Sequence, residues 1–153
     1  MIEIVALDEY VPTQTNTMAV FLAGGISGCS DWQKELAQML GDEDIVLLNP
    51  RRPDFPIDDP DAARDQIEWE YHHLRLADAI VFWFPCETLC PITLFELGAW
   101  SMTEKPLIIG THSEYARRQD VVIQMALARP EAQIMSSLEE IVDAARSGLV
   151  RIK

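Results

Sequence analysis

The sequence predicts an α/β fold in which five parallel strands form a doubly wound sheet with helices on both faces. Three observations lead there. Apolar runs of strand length alternate with stretches of helical period, the pattern of consecutive βαβ units. Those runs are mostly apolar instead of alternating with polar residues, as strands buried on both faces must be. Finally, 153 residues of which 48% are hydrophobic suffice for one compact domain with its own core, and no repeat, low-complexity tract or linker-like shift marks a second.

The five strands are read at Met18 to Ala23, Ile45 to Leu48, Ala79 to Phe84, Leu107 to Gly110 and Ala132 to Met135. Helices are expected from near Ser30, Asp61, Pro91 and Asp120, with a last one from about Ser137. Ser136 stands three residues before Glu139, the spacing of a capping box. Ahead of these units, Ile2, Ile4 and Ala6 alternate as an added edge strand does, and Pro12 to Thr17 reads as a polar loop.

Charge narrows the ligands. Twelve Lys and Arg against 25 Asp and Glu give a net charge of −13, a field that repels phosphate backbones, so no nucleic-acid polymer is expected as partner. Small nucleotides remain open to a chain with local cations, for which Arg51-Arg52 and Arg117-Arg118 are the available pairs, although paired arginines are more often ordinary solvated surface. Cys29, Cys86 and Cys90 are odd in number and lack disulfide-framework spacing, and no basic region precedes an apolar run at the N-terminus. The expected setting is cytoplasmic and reduced. No apolar run approaches the roughly 20 residues of a membrane span, so no membrane association is expected. His72 and His73 with Cys86 and Cys90 show neither CxxC nor HxxxH spacing, so no metal site is expected.

In open α/β sheets ligands bind beyond the carboxyl ends of the strands. That rule selects the segments after the first four proposed strands: Gly24 to Trp32, Asn49 to Pro60, Pro85 to Pro91, and Thr111 to Asp120. The first is a glycine-rich turn entering a helix, where backbone N–H groups can approach an anion or a sugar closely. It is neither a dinucleotide fingerprint, since Ala23 stands where the first glycine belongs, nor a P-loop, and a tight turn alone would also call for its glycines.

Glu96, in Pro91 to Trp100, falls early in a helix, where the partial positive charge of the N-terminus favours the ionised carboxylate of a nucleophile; the same placement also serves a residue that only stabilises the helix dipole. Trp83, Phe84 and Phe95 are candidates for a dry wall beside it. Further carboxylates come from the preceding helix, at Glu70 and Asp78, eight residues or a little over two turns apart. Glycosidic chemistry needs such a partner to protonate or orient the leaving group. Asp78 has a second reading, as a turn residue satisfying backbone donors between helix and strand.

Val20 to Ile26, Asn49-Pro50-Arg51-Arg52, Trp69-Glu70, Ala77 to Ile80 and Phe95-Glu96-Leu97-Gly98 together resemble the nucleoside 2-deoxyribosyltransferase-like family, over about Val20 to Thr111. The resemblance implies a flavodoxin-like five-stranded sheet, a glutamate that attacks the anomeric carbon, and a deoxyribosyl-enzyme intermediate resolved by a base or by water. It implies Glu96 as nucleophile, Glu70 or Asp78 as its partner, and Gly24, Gly25, Ser27, Asp31 and Trp32 as the sugar or 5′-end wall, with Asn49 and Arg51 beside it. The substrate would be a small nucleoside or nucleotide, no cofactor would be required, and a homo-oligomer would have a neighbouring copy complete the site. Two positions depart from the family pattern: Val20 or Phe21 replaces a tyrosine that bonds the nucleophile, and the region of Cys90 lacks a loop aspartate that handles the base. A hydrolase with the same first step, or a nucleotide-binding sensor without chemistry, are the rival readings.

Overall fold

The computed structural model describes residues 1–12, 17–41, 43–56 and 59–152. Strands β1 (Ile2–Val5), β2 (Met18–Gly24), β3 (Ile45–Asn49), β4 (Ala79–Phe84), β5 (Leu107–Thr111) and β6 (Ile134–Met135) form a single sheet in the order β1-β3-β2-β4-β5-β6. Every pairing is parallel. Between and after the strands lie α1 (Trp32–Leu40), α2 (Ala62–Leu76), α3 (Pro91–Ser101), α4 (Arg118–Ala128) and α5 (Leu138–Ile152).

The sheet therefore has six strands where five units were expected. The sixth is β1, whose Ile2 to Val5 run in register with Val46 to Asn49 of the next strand, so the alternating N-terminal segment does add an edge. Without β1 the order is that of a flavodoxin-like sheet, the chain crossing back over β2 between β3 and β4. β6 is shorter than read, because Ala132 is held in a turn by donating its N–H to the Arg129 carbonyl at 2.9 Å. Residues 13–16 of the expected N-terminal loop lie outside the described residues.

Strand alternation sorts the core into two layers. Ala19, Phe21 and Ala23 of β2 and Ile80, Phe82 and Phe84 of β4 face Trp69, Leu97 and Val121, on α2, α3 and α4. Val20, Leu22, Val81 and Trp83 face Trp32, Leu36, Ile141 and Val142 on α1 and α5. Both faces being covered explains why the central strands are apolar at every position.

Helix entries shift by a residue or two from their expected places. Asp31 caps α1, its carboxylate accepting the Lys34 N–H at 3.1 Å. α4 begins at Arg118, ahead of Asp120. The capping box of α5 is displaced by one: Ser137 Oγ accepts the Glu140 N–H at 3.3 Å, and the Glu140 carboxylate reaches back to the Ser136 N–H at 2.7 Å. Among the described residues no helix is long and apolar enough to cross a membrane.

Candidate active site

A cleft of about 330 Å³ opens beyond the carboxyl ends of β2, β3 and β4, where the strand order reverses. Its floor is the end of β2 and the turn after it, from Ala23 to Ser27, and its sides come from Pro50 and Phe55 after β3, from α2, and from the start of α3. Glu70 and Glu96 both line it. They come from different helices on the same face of the sheet, α2 and α3, and only folding brings them together.

The turn that makes the floor leaves no space for a side chain at Gly24 or Gly25. A Cβ on Gly24 would lie 2.4 Å from Trp32 Cζ2 and 2.5 Å from the Trp83 carbonyl oxygen, and one on Gly25 would meet Pro85, Cys29 and Cys90 at 2.9 to 3.0 Å. Trp32 is buried beneath this turn and donates Nε1–H to the Gly25 carbonyl at 2.8 Å. Arg51 grips the turn from the side, donating to the Ile26 carbonyl at 2.7 Å and the Ser30 carbonyl at 3.0 Å while standing 3.6 Å from Asp31. Asn49 accepts the Arg51 N–H at 2.9 Å and donates to Glu3 at 2.7 Å, tying the turn after β3 to β1.

Of the residues anticipated from sequence, Glu96, Glu70, Gly24, Gly25 and Ser27 line the cleft, and the others do not. Trp32, Asn49, Arg51 and Asp31 form the frame just described. Trp83 is directed by strand alternation to the α1/α5 face, so it cannot wall the cleft. Phe95 turns outward, 76% exposed, and Phe84 is wholly buried in the core. Asp78 sits at the amino end of β4, opposite the cleft: its carboxylate accepts the Ala19 N–H at 2.8 Å and its own N–H donates to the Ala19 carbonyl at 2.8 Å. It is the turn residue of its second reading. The arginine pairs are likewise largely engaged, Arg117 with Asp120 at 3.3 Å and Arg118 with the Thr111 carbonyl and hydroxyl and with Ser136 at 2.9 Å.

The apolar wall is instead Phe21, Phe55, Ile67 and Ile92. Gln66, one turn before Glu70, also faces the cleft, and the i, i+4 spacing is the signal that could have found it. Its Nε2 donates to the Pro50 carbonyl at 2.7 Å and to Glu70 Oε1 at 2.8 Å. Because the Pro50 carbonyl only accepts, the amide nitrogen must face it, which leaves Oε1 buried without a partner. A ligand donor would satisfy it.

Burial dominates the electrostatics. Desolvation, and then the negative charge of Glu70, push the Glu96 carboxyl up to about 8. Desolvation also raises Glu70, against the hydrogen bond from Gln66. The expectation that the helix dipole would hold Glu96 ionised is thus overturned. Glu96 is the sixth residue of α3, past the first turn where the dipole acts, and that turn carries no acidic residue.

A model of the family described as nucleoside 2-deoxyribosyltransferase like matches residues 17–115, from the strand that carries the glycine turn to the loop after β5. The chain belongs to the nucleoside 2-deoxyribosyltransferase-like family. No curated protein matches the sequence. The nucleoside 2-deoxyribosyltransferase-like match contains the whole cleft, and proteins of this family are generally enzymes. Of the positions singled out in the sequence as departing from the family pattern, Phe21 and Cys90 line the cleft, whereas Val20 faces α1 and α5. Cys90 precedes Pro91 with a left-handed backbone, φ 47°, and burial beside Cys29 and Glu87 pushes its thiol up to about 12. Neither residue supplies a hydroxyl or carboxylate to the glutamate pair, in keeping with the dry surroundings that raise it.

Proposed function

We propose that this protein cleaves the N-glycosidic bond of a deoxynucleoside or deoxynucleotide through Glu96 and transfers the deoxyribosyl group to a base. The observation that carries the reading is the pair of desolvated carboxyls, Glu70 and Glu96, facing one cleft at the switch point of the sheet. Two carboxyls raised together hold a proton between them at neutral pH. In the productive state that proton sits on Glu70 and Glu96 is the free carboxylate. Glu96 attacks the anomeric carbon, the bond to the base nitrogen breaks with its electron pair leaving on the base, and the Glu70 proton goes to that base. An incoming base then returns its N–H proton to Glu70 as its nitrogen displaces Glu96. Water in place of the base makes the same sequence a hydrolysis.

Gln66 Oε1 accepts a ligand hydroxyl or N–H, and Phe21, Phe55 and Ile92 flank the base. The chemistry requires no cofactor. The assembly is a homo-oligomer, whose neighbour covers Ile92 and Phe95 on α3, 61% and 76% exposed in the single chain. A second reading, a nucleotide-binding sensor, draws on the absence of a tyrosine at Val20 or Phe21 and of an aspartate around Cys90, the two departures from the family pattern that the resemblance implies.

One experiment separates these. The protein is mixed with a panel of deoxynucleosides, deoxynucleotides and free bases, and products are resolved by chromatography. Exchange that needs an acceptor base identifies a transferase, and base release in water a hydrolase. A transient mass increase of one deoxyribosyl unit, mapped to Glu96 by digestion, establishes the covalent route. A ligand-dependent melting shift with no product from any pair supports the sensor and overturns the enzyme.

A further inference from the structure

We infer that Cys86, His112 and Glu114 form a binding site for a thiophilic divalent cation, with zinc the best fit, at the carboxyl ends of β4 and β5. The Cys86 sulfur, a His112 ring nitrogen and a Glu114 carboxylate oxygen all lie within 4.8 Å of one another. No spacing in the sequence marks this set, because its members come from loops after two different strands. The sheet register assembles them: Phe84 pairs with Thr111, so Cys86 and His112 leave adjacent strand ends, and the His112 N–H donates to the Phe84 carbonyl at 2.9 Å to lock the two exits together.

The frame under the donors is firm. Tyr115 is buried, its N–H closes a turn onto the His112 carbonyl at 3.0 Å, and its hydroxyl donates to the Leu89 carbonyl at 2.7 Å. That turn carries Glu114 back over His112. Thiolate, imidazole and carboxylate are the zinc donor types, and three of them leave one tetrahedral position open. Zinc bond lengths set donor separations of roughly 3.4–3.8 Å, so from separations within 4.8 Å the side chains need draw in by no more than about 1.4 Å. Cys86 and Glu114 are exposed and free to do so. His112 Nδ1 accepts the Glu114 backbone N–H at 3.2 Å, a hydrogen bond that a metal binding at this nitrogen would displace.

Binding forms a sulfur–metal bond as the Cys86 thiol proton passes to solvent, with no change in oxidation state. Glu87, whose carboxylate accepts the Cys86 S–H at 3.6 Å, adds negative charge beside the ion. None of the three donors lines the glutamate cleft, so the site does not rest on the proposed glycosyl chemistry.

The test is spectroscopic and independent of turnover. Metal-free protein is titrated with Co²⁺ and then with Zn²⁺. The site predicts one Co²⁺ per chain with a thiolate-to-cobalt band in the near ultraviolet, displacement by Zn²⁺, and loss of the band in Cys86→Ser. His112→Gln and Glu114→Gln should each weaken Zn²⁺ binding at least about tenfold, ~1.4 kcal/mol, with unchanged circular dichroism. A band that persists in Cys86→Ser, cobalt bound without a thiolate band, or no binding of either ion at micromolar concentration would each overturn the assignment.

Discussion

Replacing Glu96 with glutamine should stabilise the protein as pH rises while removing its turnover. A carboxyl whose ordinary value of 4.5 is raised to about 8 by folding is protonated in the native state and ionised in the unfolded one between those limits. The native state then binds more protons, so stability is full below about pH 4.5 and is lost as pH climbs towards 8. At about 1.4 kcal/mol per pH unit, the loss between pH 5 and 7.5 is about 3 kcal/mol. Glutamine fills nearly the same volume and does not titrate, so Glu96→Gln lacks this loss. Urea denaturation of both proteins across that range measures it. The gap between variant and wild type should widen by about 3 kcal/mol in favour of the variant, and any fixed effect of the amide cancels in the difference. A gap that stays flat with pH would refute the burial argument. Separately, base release or exchange by the variant above about a tenth of the wild-type rate, a barrier change under about 1.4 kcal/mol, would remove Glu96 as nucleophile.

The same raised carboxyl shapes the rate. The proposed route needs the pair with one proton, Glu96 ionised and Glu70 protonated, so kcat/KM should fall as pH climbs past about 8, where that proton is lost, and a profile still flat well above pH 8 would show that the pair does not govern catalysis. Asp78→Ala should cost about 1–3 kcal/mol by stripping the Ala19 N–H of its acceptor, and leave turnover of the folded fraction unchanged; a collapse of kcat with an intact fold would return Asp78 to the chemistry. Gly24→Ala should destabilise by about 1–3 kcal/mol or more, because the new methyl meets Trp32 and the unyielding Trp83 carbonyl at 2.4 and 2.5 Å, and a melting temperature within error of wild type would contradict that geometry.

Periodicity and composition by themselves make the layered architecture legible. Uniformly apolar runs such as Met18 to Ala23 and Ala79 to Phe84 have no polar face to expose, which requires helices on both sides. The glycine turn and the Glu-Leu-Gly helix were readable for the same local reason: each is a short segment whose residue types follow from its own backbone. The direction of side chains was not. Trp83 and Phe84 are neighbours in sequence, yet the pleat sends one to each face of the sheet, and neither reaches the cleft. Asp78 and Glu70 share a segment, but the helix between them carries one to the amino ends of the strands and the other to the carboxyl ends, so only Glu70 meets Glu96.

What only the tertiary structure decided is chiefly electrostatic and relational. The sequence places Glu96 near a helix start, which argues for an ionised carboxylate; the packed cleft removes water from it and sets Glu70 opposite, and desolvation outweighs a dipole that fades after the first turn. Arg51 and Asp31, readable as ligand contacts, are drawn into holding the glycine turn, because their partners are backbone carbonyls and a neighbouring charge that come close only after folding. Local sequence thus determined which segments are strands, turns and helices, since backbone preference and burial period act over a few residues. Proximity, solvent exclusion and the charge state that follows from them are properties of residues far apart in the chain, and only the assembled sheet sets them.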